Sequence, residues 1–198
     1  FGLLNDATGT ITALINSDEI SAGNDFGLQN RGIIGTITNS GTISAGAQFG
    51  LHIFDSSSTI TSLINTGTIS AGTNNGLRNK GTIGTITNSG RITAGTNFGL
   101  FNDTTGIITA LTNSGTISAG GNFAINNLGS IGTLTNTGSI SQIQSTSISN
   151  AGIITTFNNS QGKFGSNPVT FTKSLPTNYN VIVNSTSDFG QIVFSDVS

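Results

Sequence analysis

The 198-residue sequence predicts an all-β fold, a right-handed parallel β-helix (solenoid) of about seven coils with a C-terminal β-hairpin cap. Three observations carry that expectation. A unit of 23 residues, FGLQNRGIIGTITNSGTISAGAQ at positions 26–48, recurs along the chain, which marks a stacked repeat. Its segments are short, rich in Thr and Ile and ended by Asn-Ser-Gly or Ala-Gly, which favours strands of a few residues over helices of ten or more. Only 7% of residues are charged and Cys is absent, so the chain has no disulfide framework and no thiol chemistry.

Each unit opens on Phe1, Phe26, Phe49, Asn75, Phe98, Phe123 or Thr146, and two residues later stands an aliphatic column of Leu3, Leu28, Leu51, Leu77, Leu100, Ile125 and Ile148. A first Asn column follows at Asn5, Asn30, Asn79, Asn102, Asn127 and Asn150, with Ile53 as its exception. The next apolar columns are Ile11, Ile34, Ile60, Ile83, Ile108, Ile131 and Ile154, then Leu14, Ile37, Leu63, Ile86, Leu111, Leu134 and Phe157. A second Asn column is unbroken through Asn16, Asn39, Asn65, Asn88, Asn113, Asn136 and Asn159. Ile20, Ile43, Ile69, Ile92, Ile117 and Ile140 complete the unit, with Phe164 one position late. In coils stacked about 4.8 Å apart, like residues lie over like. The aliphatic columns then fill the interior, and the Asn columns form amide ladders along the turns, each amide donating to one neighbour and accepting from the other.

The repeat varies in length at one place only. Units one, three and five carry extra residues between the first Asn column and the following Ile, as expected of a single corner open to loops. The residue after that Asn runs Asp6, Arg31, Phe54 with Asp55 beside it, Lys80 and Asp103, so opposite charges alternate from coil to coil. At the coil spacing these could form a salt ladder worth about 0.2–1 kcal/mol per exposed pair, or a corner that binds a ligand.

After Phe164 the repeat lapses, and residues 179–183 and 191–197 read as two strands joined by a turn. An open solenoid end exposes strand edges, so a hairpin there would act as a lid. The expected domains are therefore a β-helix over residues 1–164 and a capping segment over 165–198. Loss of the Ala-Gly turn at Ser141, Gln142 and Ile143 marks where the regular rod gives way.

Catalysis is disfavoured. Asp6, Asp55 and Asp103 share a corner, but each is two coils from the next, about 9.6 Å, with Arg31 and Lys80 between. Asp18 and Glu19 form an isolated pair, and His52, the single His, has no second His or Cys to complete a metal shell. No cofactor or metal is expected. Outward Thr and Ser, such as Thr42 with Ser44 and Thr36 with Thr38, raise ice binding as a rival. Asp18, Glu19 and Arg91 interrupt one such row, and Thr-x-Thr pairs such as Thr36/Thr38 and Thr85/Thr87 occur in alternate coils. A net charge of −2 excludes nucleic acid as an obvious partner, and no apolar stretch approaches a membrane-spanning helix.

The repeats, of the type Leu-x-Asn-x-Gly-x-Ile-x-Thr-Ile-x-Asn-Ser-Gly-x-Ile-Ser-Ala, and the tail LPTNYNVIVNSTSDFGQIVFSDVS from Leu175 together resemble the passenger region of a bacterial autotransporter of type V secretion. The resemblance covers the whole chain and is more specific in the tail than in the repeats. It implies a cell-surface or secreted structural stalk and adhesin, a virulence factor without catalytic activity, whose tail acts as an autochaperone-like cap. Contact with the outer membrane would come only through a barrel outside this chain. A protein or glycan on a host or bacterial surface would be its partner, and the chain itself a monomer, the excised piece of a longer array. A polysaccharide-processing β-helix enzyme and an ice-binding β-helix are the alternatives.

Overall fold

The computed structural model describes residues 1–143, 146–162 and 167–195, and all its regular elements are strands. Each coil begins with three. The first holds β1 (Leu3–Asn5), β2 (Thr10–Asn16) and β3 (Glu19–Ala22), and the second β4 (Phe26–Asn30), β5 (Ile33–Asn39) and β6 (Thr42–Ala45). The third has β7 (Phe49–Ile53), β8 (Thr59–Asn65) and β9 (Thr68–Ala71), and the fourth β10 (Asn75–Asn79), β11 (Thr82–Asn88) and β12 (Arg91–Ala94). The fifth has β13 (Leu100–Asn102), β14 (Ile107–Asn113) and β15 (Thr116–Ala119), and the sixth β16 (Ile125–Asn127), β17 (Ser130–Asn136) and β18 (Ser139–Gln142). Two strands remain in the seventh, β19 (Ile148–Asn150) and β20 (Ile153–Asn159). The tail supplies β21 (Val169–Lys173), β22 (Asn178–Val181) and β23 (Ile192–Phe194).

Every named strand pairs in parallel with its counterpart in the next coil, giving a first sheet of nine strands, a second of eight and a third of six. The register is that of the sequence columns: Leu28 lies over Leu51, Ile37 over Leu63 and Ile43 over Ile69. These side chains are fully buried in one continuous core that runs the length of the coil. Burial of such an aliphatic side chain contributes roughly 1.5–3 kcal/mol, and none of these columns holds a polar residue to interrupt it.

The solenoid has about eight turns, one more than the repeats suggest, because the tail goes on winding after its sequence has stopped repeating. β21 joins β19, β22 joins β20 and β23 joins β21, all in parallel. The expected hairpin is corrected accordingly: residues 179–183 and 191–195 do not form a two-stranded ladder. Among the described residues the antiparallel contacts near them are the isolated bridges Val183–Phe189 and Gly162–Gly190. Tyr179 sits over Phe157 and Phe171 over Ile148, with the Phe157 and Phe171 rings edge to face, so aromatic rings replace aliphatic columns as the core closes. The proposed domain junction at residue 164, the late column member Phe164 and the last residues of the expected strand to Val197 lie outside the described residues.

Among the described residues the third sheet ends at β18, where its turn also changes. At the turn after each third strand stands Gly46, Gly72, Gly95 or Gly120, where an added Cβ would lie 2.0 Å or so from a carbonyl of the coil before, 2.0 Å for Gly72 against Gly46. Coil six has Ile143 at the equivalent position, its side chain 82% exposed, and β18 is the last strand of that sheet. A side chain meets the edge of β18. Gln161 Oε1 accepts the Ile140 N–H at 2.7 Å, and its Nε2 donates to the Ile140 carbonyl at 3.0 Å. A glutamine amide thus satisfies both backbone groups of Ile140 at the centre of β18.

Candidate functional site

The corner between the first and second sheets is where coil length varies, and it holds Asp55 and Asp103, two carboxyls with shifted behaviour. It comprises residues 6–9, 31–32, 54–58, 80–81, 103–106, 128–129 and 151–152 in successive coils. A short corner between two long ones leaves a notch. At coil four the notch is an open groove of about 580 Å³ bounded by Phe54, Asp55 and Ser56 on one side and Asp103, Thr104 and Thr105 on the other, with Arg78 and Lys80 as its floor.

The salt ladder expected along Asp6, Arg31, Asp55, Lys80 and Asp103 does not form. Among the described residues the one ion pair joins Asp103 to Arg78, at 2.7 Å. Each other member has a different occupation. Asp6 accepts the N–H of Ala7. Arg31 lies 4.3 Å from the centre of the Phe54 ring and donates to Gln29 Oε1. Asp55 accepts hydrogen bonds from the hydroxyls of Ser57 and Ser58 at 2.7 and 2.9 Å. Those hydroxyls, with the backbone N–H groups of the same residues, hold its carboxyl below the ordinary carboxylate value. Burial pushes the Asp103 carboxyl up, but the Arg78 hydrogen bond, the Thr104 N–H and the charges of Arg78 and Lys80 outweigh it and leave it lowered. Local donors in the long corners occupy Asp6 and Asp55, whereas Asp103 combines the Thr104 N–H with a cation from the neighbouring coil.

Arg78 belongs to an outward column of the first sheet, over His52 and under Phe101, and it closes a gap in an aromatic stack. Phe1, Phe26 and Phe49 stack with centroids 5.4 and 5.5 Å apart, and Phe98 and Phe123 at 6.1 Å with nearly parallel rings. Coil four has Asn75 in that row. The Arg78 guanidinium fills the space, 5.2 Å from the Phe49 ring and 5.4 Å from that of Phe101. Replacing Arg78 with Met should lower stability by roughly 1–2 kcal/mol through loss of the ion pair and both ring contacts. Urea titration checks this; an unchanged midpoint would show that the stack stands without the cation.

His52 is sealed inside the same cluster at 4% exposure. Its ring meets Phe49 at 4.8 Å, Phe26 at 5.1 Å and Phe54 at 5.6 Å. Gln29 Nε2 donates to His52 Nδ1 at 3.2 Å, which places the ring proton on Nε2, an atom buried without a hydrogen-bond partner. Burial first, then the charges of Arg78, Lys80 and Arg31, lower its pKa to about 3. This imidazole is a neutral packing group at physiological pH. Among the described residues no three His, Cys, Asp or Glu side chains come together as a metal shell.

The Asn columns run inside the corners. Asn16, Asn39, Asn65, Asn88, Asn113, Asn136 and Asn159 form one uninterrupted chain in which each Nδ2 donates to the next Oδ1 at 2.7–3.0 Å. In the other, Asn5 donates to Asn30, and Asn79, Asn102, Asn127 and Asn150 form a second run beyond Ile53. All thirteen are buried. A further ladder escaped the column analysis: Asn122 donates to Asn97 and Asn97 to Asn74, just before the Phe row. The residue preceding each unit start was its available signal, Asn in three successive units.

No protein-family model, no curated protein and no solved structure matches this chain.

Proposed function

We propose that the chain is a non-catalytic passenger segment of autotransporter type, a stalk and adhesin exposed on or released from a bacterial cell, which contacts a protein or glycan through its variable corner. The observation that supports this reading most is the restriction of length variation to one corner of an otherwise exact stack. Three sheets in unbroken register make a stiff rod, while residues 54–58 and 103–106 stand out from it around the coil-four notch. Loops tolerated on a rigid scaffold are where recognition residues concentrate. The notch combines the Lys80 ammonium, the Asp55 carboxylate and the hydroxyls of Ser56, Thr104 and Thr105, groups suited to a hydroxyl-rich ligand.

Binding of the purified chain to cultured mammalian cells, and to arrays of glycans and matrix proteins, tests the proposal. Saturable binding that falls at least several-fold in Lys80→Glu, with an unchanged melting temperature, is the expected result. Absence of binding on every surface would overturn the adhesive role, and binding indifferent to Lys80→Glu would move it away from the notch.

A further inference from the structure

The outward face of the second sheet carries no charge. The chain has fourteen Asp, Glu, Lys and Arg residues, yet none lies in β2, β5, β8, β11, β14, β17, β20 or β22. Three columns face outward there. One runs Thr10, Ile33, Thr59, Thr82, Ile107, Ser130 and Ile153; the next Ala13, Thr36, Ser62, Thr85, Ala110, Thr133 and Thr156; the third Ile15, Thr38, Ile64, Thr87, Thr112, Thr135 and Asn158. Several of their apolar members are strongly exposed, Ile15 at 76%, Ile153 at 59% and Ile33 at 50%. Apolar side chains left in water across an uncharged face mark an interaction surface rather than a solvated one.

We propose that this face binds a second copy of the chain, sheet against sheet. Relief and area both favour that occupant. The coils differ in what they present: Thr36 and Thr38 beside Ile33, Thr85 and Thr87, and Thr133 and Thr135 in even coils, but Ala13 with Ile15, Ser62 with Ile64 and Ala110 beside Ile107 in coils one, three and five. Ile knobs next to Ala or Ser hollows in coils one, three and five give a surface that interdigitates with its own copy, as facing sheets do. Seven strands of seven residues span about 34 by 23 Å, roughly 780 Å², which is the roughly 800 Å² that one partner gives to a stable interface. Ile15, Ile33, Ile64, Ile107 and Ile153 interrupt the lattice of hydroxyls that an ordered water layer would need.

Sedimentation velocity across a concentration series into the high micromolar range tests the pairing, with the wild-type chain, Thr85→Arg and Ile107→Glu on the face, and Thr93→Arg on the third sheet as control. The expected result is a dimer that persists in high salt, because no charges meet in it. Both face variants become monomeric with unaltered circular dichroism, and Thr93→Arg pairs like the wild type. A wild-type chain that stays monomeric overturns the proposal. So does association that survives both face variants, which would assign it to the strand edges at the ends of the coil. Thermal hysteresis in a monomeric wild type, lost in the same variants, would give the face to ice and equally overturn self-pairing.

Discussion

Between pH 6.5 and pH 4 the protein is expected to lose on the order of 3 kcal/mol of stability to one side chain, His52, at about 1.4 kcal/mol per pKa unit. In the unfolded chain its imidazole takes up a proton near pH 6.5, whereas in the fold it resists protonation down to about 3. Throughout that interval the unfolded state binds more protons, so stability falls as pH falls. The lowered carboxyls Asp55 and Asp103 act in the same direction but only below their unfolded values, under about pH 4. Replacing His52 with Gln, the residue that Gln29 places in the same column one coil earlier, should flatten the pH 4–6.5 segment of the curve. It should leave the loss below pH 4 in place. Urea unfolding midpoints measured at half-unit pH steps decide the matter; parallel curves for the two proteins would rule out the histidine as the source.

Asn88→Ala should cost about 3 kcal/mol or more. The Asn88 amide accepts from Asn65 and donates to Asn113, with a further bond to the Thr116 carbonyl at 3.2 Å, and the residue is fully buried. Truncation opens a void and leaves the Asn113 oxygen without its donor in a site closed to water, the costly side of the hydrogen-bond balance, while Asn65 Nδ2 keeps the Gly67 and Arg91 carbonyls at 3.2 and 3.1 Å. The chain holds its own control in Ile53, which sits where Asn30 and Asn79 would otherwise be bridged. There Asn30 directs its Nδ2 to the carbonyls of Gly32 and Thr59. Ile53→Asn should therefore be close to neutral, within about 1 kcal/mol. Equal losses in the two variants, measured by chemical denaturation, would mean that the ladder bonds contribute nothing beyond filling volume.

The inward half of this structure was legible because one residue type must repeat wherever a stack has no room for alternatives. Leu28, Ile34, Ile37 and Ile43 head columns whose members share size and polarity, and the Asn columns are held by bonds that only an amide can both give and take. The outward half obeys no such rule. Gln29, His52, Arg78 and Phe101 share a column with nothing in common chemically, so their joint role in the aromatic stack emerges only when the Phe row is seen to point the same way. The charged corner misled for a related reason. Like positions were paired along the stack, whereas the partner of Asp103 came from Arg78, two residues before Lys80. Nor could the tail be assigned from its lapsed repeat, since backbone pairing of β21, β22 and β23 continues without the side-chain columns that announce it. The neutral face of the second sheet is an absence, visible only once its strands are set side by side.

The Asn ladders also give the rod a direction. In both long ladders the amide nitrogen points toward the later coil and the oxygen toward the earlier one, so their dipoles add rather than cancel and polarise each other along the stack. At the C-terminal end the last donors are already quenched by backbone, Asn150 on the Ser174 carbonyl and Asn159 on those of Gln161 and Gln191. At the other end Asn5 and Asn16 turn carbonyl oxygens outward. A coil joining there must arrive with amide donors in both columns, and one presented the wrong way round would set oxygen against oxygen. The stack is therefore chemically polar: a coil can add to either ladder in one orientation only.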